Sequence, residues 1–204
     1  MKTNFKSKLK YIALFLAVFI FSCDEDFLNV ETSSETEKAL TADKSIELVN
    51  AVYNRFLQWQ GDTGTDKDIL DAIEFDATTI SIAEVWSEHY SANQRATQAL
   101  SRIPDFDIDS NLKNRLIGEV KFLRALIYFR LVKIFGGVPL ISEQSDLTDP
   151  NILQRATKEE VYQFIESDLQ EAINFLPEKS QYPATDLGRS TKGAAKALLA
   201  KVSM

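Results

Sequence analysis

A chain of 204 residues with 45% apolar, 26% charged and 10% aromatic residues has the make-up of a folded protein, and that composition excludes a disordered chain. One Cys and one His exclude disulfide scaffolds, zinc ribbons and metal sites built from clustered imidazoles. The charge is uneven: the first 22 residues hold Lys2, Lys6, Lys8 and Lys10 and no acid, and without them 19 basic residues face 30 acidic ones, a formal −11. Phosphate backbones repel such a surface, which argues against a nucleic-acid partner.

Met1–Lys10 is basic, and Tyr11–Phe21 is an unbroken apolar run of 11 residues. A spanning helix needs about 20 apolar residues, so this run is too short to cross a membrane. It has the pattern of a secretory signal peptide, which assigns residues 1–22 to an export signal. Ile20-Phe21-Ser22-Cys23 resembles a bacterial lipobox. The single Cys falls where a signal peptide of ordinary length ends, so Cys23 is the expected lipid-attachment residue; the alternative is an incidental thiol. Acyl chains, palmitate included, anchor a protein to a membrane without a spanning segment. Residues 23–40 are polar, with Phe27, Leu28 and Val30 as their apolar anchors, and read as a lipidated tether.

From Thr41 the pattern turns helical. Ile46, Val49, Tyr53, Phe56 and Leu57 recur at spacings of three and four, and Thr41 or Asp43 is placed to cap the start. Gln58–Asp68, with Gly61, Gly64 and alternating Asp and Thr, reads as a loop. A second helix is expected from about Ile82 to Ile103, through Val85, Trp86, Tyr90, Ala96, Ala99 and Leu100, stopped by Pro104-Asp105.

The third helix has the fullest stripe: Leu112, Leu116, Val120, Leu123, Ile127, Leu131 and Ile134, widened by Phe122, Leu126, Phe129 and Phe135. A helix apolar over so much of its circumference is buried between neighbours. Gly136-Gly137 ends it and Pro139 prevents continuation. Thr157-Lys158-Glu159-Glu160 forms a capping box before a helix through Val161, Phe164, Ile165, Leu169, Ala172 and Leu176 that ends at Pro177. Ser190 or Thr191 opens a last helix from Lys192 to Met204. No segment shows sustained strand alternation, so the class is all-α with antiparallel helix pairs.

Catalytic and metal chemistry find little support. His89 lies beside Trp86 and Tyr90 on an amphipathic helix, where a satisfied or surface imidazole is a better account than a catalytic base. Asp66, Asp68, Asp71, Glu74 and Asp76 supply carboxylates without the positioned pair a glycosidase requires. Asp62, Asp66 and Asp68 invite a calcium reading, but Gly64 and Lys67 break the EF-hand pattern, leaving a solvated acidic loop. No Gly-rich phosphate loop occurs, and neither a metal nor a cofactor is implied. Sugar binding needs aromatic faces with amides or carboxylates nearby. Trp59-Gln60 with Asp66, and Trp86 with Tyr90, have that composition, making Trp59 and Trp86 the candidate ligand-binding residues. The plain alternative makes Trp86 and Tyr90 core and Trp59 a helix-end anchor.

Four stretches then match one family in order. Glu119-Val120-Lys121-Phe122-Leu123-Arg124-Ala125-Leu126-Ile127-Tyr128-Phe129, Leu131-Val132 and Phe135-Gly136-Gly137-Val138-Pro139-Leu140-Ile141 together resemble the signature of SusD/RagB-type nutrient-uptake lipoproteins. Cys23 to Val30, Arg155-Ala156-Thr157 through Tyr162 and Asp168-Leu169 to Ala172, and Gly188-Arg189 with Thr191 to Val202 resemble the family's other segments. Asp24-Glu25-Asp26 is similar to the surface-export signal of Bacteroidetes lipoproteins. One departure is visible: Thr97 stands where the pattern usually has Asn.

The resemblance implies an α-superhelix of tetratricopeptide-like helix pairs, although no clean period of about 34 residues is present. Ala125-x-x-x-Phe129 and Ala195-x-x-x-Leu199 have the small-then-large spacing of close helix contacts. It also implies a binding protein without catalysis, which sits on a SusC-type TonB-dependent outer-membrane transporter at the cell surface and captures an oligo- or polysaccharide. The competing reading is a helical-repeat scaffold that binds peptide or protein with no carbohydrate role. Family members are longer than this chain. Ala200-Lys201-Val202-Ser203-Met204 shows no stop signal, so residues 41–204 are expected to be a truncated, N-terminal α-helical part of such a protein.

Overall fold

The computed structural model describes residues 34–62, 80–143, 145, 148–149 and 153–204, with the backbone alone for 34–40, 58–62 and 80–81. The chain divides into two compact units, Met1–Glu37 and Lys38–Met204, and all the packing described below lies in the second. Five α-helices occur among the described residues, and no strand: α1 (Ser34–Asp62), α2 (Ile80–Arg102), α3 (Ser110–Phe135), α4 (Lys158–Phe175) and α5 (Lys192–Val202). Short 3₁₀ turns follow α2 and lie between α4 and α5. None of these helices is long and apolar enough to cross a membrane. The apolar run Tyr11–Phe21 lies outside the described residues.

α3 is the central helix. It packs most extensively on α4, then on α2, and also touches α5. Its expected stripe is the core: Leu116, Val120, Leu123, Ile127 and Leu131 are buried, with Ala125, Tyr128 and Phe129 beside them. Only the ends of the stripe depart, Leu112 being half-buried and Ile134 exposed. α1 supplies Val49, Val52 and Phe56 to the same core, α2 Ala92, Ala96 and Ala99, α4 Val161, Ile165, Leu169 and Ala172, and α5 Ala195 and Val202. Helices α3 and α4 run antiparallel: going up α3, Gly118 meets Phe175, Arg124 meets Asp168 and Tyr128 meets Phe164. Short connections favour this arrangement of neighbouring helices.

The helix ends follow local chemistry. Asp109 caps α3, its side chain accepting from the amides of Asn111 and Leu112 at 2.9 and 3.1 Å. The capping box of α4 forms as expected: the Glu160 amide donates to Thr157 Oγ1, and the Thr157 amide donates to Glu160 Oε2 at 2.7 Å. Thr191 caps α5. Gly136 ends α3 with φ of 74°, a conformation side chains resist. Gly137 has a different reason to be glycine, since a Cβ there would lie 2.0 Å from the Ala156 carbonyl oxygen.

Besides α5, which ends at Val202 with Ser203 at its cap rather than running to Met204, two boundaries differ from the sequence-based expectation, both at α1. The helix begins at Ser34, so the tether expected over residues 23–40 is already helical in its last part, and Thr41 and Asp43 lie within the helix rather than capping it. It also runs to Asp62, through the expected start of the loop at Gln58. Ser34–Leu40 are mostly polar residues that a helix tolerates without an apolar stripe, so periodicity gives no sign of them. Gln58–Asp62 read as loop because Gly61 and Asp62 disfavour helix locally, a preference the continuing helix overrides.

Candidate functional site

Three clusters of side chains lie on this frame. The first holds α2 against the segment after α3. Trp86 is half-buried, its ring 4.8 Å from that of Tyr90 and 5.0 Å, edge-on, from that of Phe135. Tyr90 Oη donates to the Pro139 carbonyl at 2.8 Å, and Asn93 Nδ2 donates to the Ile141 carbonyl at 3.0 Å. The Ile141 amide donates to Tyr128 Oη at 2.8 Å. Burial pushes the Tyr128 hydroxyl up to about 12, so it serves as a neutral hydrogen-bonding group. Gly136–Ile141 is thus pinned by three side chains, which gives the segment a packing role.

His89 is 3% exposed with Nδ1 2.6 Å from the Val85 carbonyl, a buried imidazole bonded to its own helix. Thr97, at the departure from the family pattern, has its hydroxyl buried with no hydrogen-bond partner among the described residues.

The second cluster is ionic and buried between α3 and α4. Arg124, 1% exposed, donates from Nε and Nη2 to the two carboxylate oxygens of Asp168 at 2.7 and 2.8 Å, and from Nη1 to Glu143. Its guanidinium lies over the Phe164 ring, 4.8 Å from the centroid. Lys121 Nζ reaches Asp168 at 3.2 Å and Glu171 at 3.0 Å. Burial pushes the Glu143 carboxyl up, but the adjacent Arg124 outweighs it and holds the group below the usual range. Every charge here faces an opposite charge, as buried ions require.

The third cluster ties the 178–191 segment to α1 and α3. Arg189 donates to Glu119 at 2.9 Å, Asp186 at 3.0 Å and Asn50 at 3.1 Å. Tyr53 and Tyr182 hold Ser190 from two sides, Tyr53 Oη accepting its amide at 2.8 Å and Tyr182 donating to its carbonyl at 2.7 Å. Arg115 donates to Asp186 at 2.7 Å and lies over the Tyr182 ring. Beside this cluster a groove of about 530 Å³ opens between the first turns of α3 and the end of α4. Asn111, Asn114, Asn174 and Gln181 line it together with Phe175 and Tyr182.

The sequence-predicted ligand residues fall as follows. Trp86 lies at the edge of the core in the first cluster and does not line the groove. Trp59 lies in the last turns of α1, where only the backbone is described. Cys23 lies outside the described residues, as do Asp66, Asp68, Asp71, Glu74 and Asp76. Among the described residues, no group of three or more His, Cys, Asp and Glu side chains is placed to hold a metal ion. The groove amides gave no signal in the sequence. Asn and Gln have no spacing rule of their own, and the fold brings these four together from two distant stretches, 111–114 and 174–181.

The SusD-like family model, described as starch-binding and associating with the outer membrane, matches residues 22–204. The chain belongs to the SusD-like family. This is a family of carbohydrate-binding proteins. A SusD-like protein of Bacteroides ovatus is 29% identical over 225 residues, covering 99% of this chain and 40% of its own; the chain thus spans two fifths of that relative's length. Among solved structures, a SusD homolog from Bacteroides thetaiotaomicron is similar with a TM-score of 0.68 at 27% identity, over 84% of this chain and 38% of its own. A laminarin-binding SusD-like protein is 40% identical with a TM-score of 0.55, over 61% of this chain and 26% of its own. The helix pairs described above are the TPR-like architecture of these SusD-like neighbours.

Residues of the signature stretches carry much of the packing in this chain. Glu119, Lys121 and Arg124 make the two ionic clusters, Asp168 receives Arg124, and Gly136-Gly137 lets the chain turn back against Ala156.

Proposed function

We propose that this SusD-like protein is a surface-exposed outer-membrane lipoprotein that captures an oligo- or polysaccharide and delivers it to a SusC-type TonB-dependent transporter, acting by binding and without catalysis. The observation that carries this reading is the family match over residues 22–204, whose description joins starch binding to the outer membrane. The laminarin-binding relative supports glycan as the ligand class. The anchor rests on the sequence: an export signal over residues 1–22, Cys23 as the acylated residue, and a tether from 23 into the domain at 41–204. Trp59 and Trp86 are the aromatic groups assigned to stack on sugar faces.

The test uses the tagged protein in its native outer membrane. Affinity isolation is expected to bring down a TonB-dependent barrel, identified by mass spectrometry, and Cys23→Ala is expected to abolish acyl labelling and move the protein out of the membrane fraction. Isolation without any barrel, or unchanged membrane retention of the Cys23 variant, would overturn the assignment.

A further inference from the structure

The groove between α3 and α4 has a chemistry that the packing of the helices does not require. Its lining includes two aromatic side chains, the half-buried Phe175 and the buried Tyr182, whose ring lies under the Arg115 guanidinium. Asn111 and Asn114, one turn apart on α3, line it together with Asn174 and Gln181. None of the three asparagine carboxamides makes a hydrogen bond among the described residues, and Gln181 uses its Oε1 on the Glu178 amide, leaving its NH₂ donors unused. Each free carboxamide offers two donors and an acceptor. Together they line the groove with unpaired, uncharged hydrogen-bonding groups.

The charge balance narrows the ligand. Arg115 is the one charged residue lining the groove among those described, and it is committed to Asp186 at 2.7 Å and to Glu119 at 3.4 Å. An anionic ligand would need a free cation and a cationic ligand a free carboxylate, and the lining presents neither. A neutral polyol fits this lining: its hydroxyls both donate and accept, matching carboxamides, and its C–H groups match the exposed part of Phe175. The volume of about 530 Å³ lies within the range of small-molecule sites.

We infer that this groove is a contact site for a neutral oligosaccharide, separate from Trp86, with Asn114 from α3 and Asn174 from α4 as hydrogen-bonding residues. The inference rests on the glycan-binding reading above and adds a second place of contact to it.

The test is calorimetric titration of the full chain with oligosaccharides of starch, laminarin and xyloglucan, comparing wild type, the Asn114→Ala/Asn174→Ala double variant and the exposed control Lys179→Ala. Loss of two or more neutral hydrogen bonds is expected to weaken binding about tenfold in the double variant, with the control unchanged. Both altered side chains are exposed, and thermal unfolding verifies that the double variant is folded. In parallel, the side-chain amide NMR signals of Asn114 and Asn174 in wild-type protein are expected to shift on adding the glycan, a readout that needs no variant. Binding by wild type that the double variant retains in full, with both amide signals unmoved, overturns the groove while leaving the glycan reading intact. Failure of the wild type to bind any of the three overturns both.

Discussion

Arg124 on α3 grips Asp168 on α4 through two parallel N–H donors, at 2.7 and 2.8 Å, with both side chains almost wholly buried. A bidentate pair of this kind fixes direction as well as distance. It sets the register of the two helices that pack most extensively, with Leu169 placed in the core immediately beside it. The groove at the far end of the same helix pair depends on that register.

Breaking the pair one side at a time leaves a buried charge without its best partner. Asp168→Ala is expected to destabilise the protein by about 3–5 kcal/mol, read by urea unfolding. Adding Arg124→Met to Asp168→Ala removes the stranded cation, so the double variant is expected to cost less than the sum of the singles. Strict additivity would mean that the two side chains do not act as a unit.

Gly137 is constrained by space. A Cβ added there would run into the Ala156 carbonyl, and no side-chain rotation relieves the clash because the obstacle is backbone. Ala156 is itself held, its amide donating to the Val138 carbonyl at 3.2 Å. Gly137→Ala is expected to cost about 3 kcal/mol, measured by thermal or denaturant unfolding. A cost near zero would show that the chain at Ala156 does not sit against Gly137.

Glu119 gives the fold a pH dependence of defined sign. It is fully buried, and burial raises its carboxyl above the ordinary value of 4.5, with Arg189 and Arg115 offsetting part of the rise. The folded protein therefore holds this proton more tightly than the unfolded chain does. The associated stability is complete below pH 4.5 and is lost as pH rises through the higher folded value. Asp186 runs the other way: burial raises it, the hydrogen bonds from Arg115 and Arg189 prevail, and its lowered value gives stability that is lost on acidification. Glu119→Gln removes the first contribution alone. The stability difference between wild type and Glu119→Gln is expected to shrink or reverse as pH rises from about 4.5 toward neutrality; parallel curves would contradict the assignment.

Thr97 carries a buried hydroxyl with no partner among the described residues, and an unsatisfied buried hydroxyl is costly. Thr97→Val keeps the shape and removes the polar atom, so stability is expected to rise by about 1 kcal/mol. A loss of stability would mean that the hydroxyl is satisfied in solution.

Local signals made much of this fold legible. The stripe on α3, the Thr157–Glu160 box and the Gly136-Gly137 stop each act within a few residues of chain, and all three are in place. What escaped was chemistry assembled over distance. Glu119, Lys121 and Arg124 carry no sequence sign of their partners; they are buried because those partners arrive from Asp168 and Glu171 on α4 and from Arg189 beyond it. The start of α1 at Ser34 escaped for the opposite reason, since a polar helical segment has no apolar rhythm to reveal it. Trp86 was legible as an aromatic, and its neighbours Tyr90 and Phe135 follow from helical spacing only in part, Phe135 being contributed by another helix. The groove was invisible, because carboxamides carry no periodic signature.

Glycan binding is the role proposed for this chain. Affinity electrophoresis through gels containing starch, laminarin, xyloglucan and related polysaccharides tests it most directly. Retarded migration in at least one of them, relative to a non-binding control protein, is the predicted result. Unretarded migration in all of them would contradict the account.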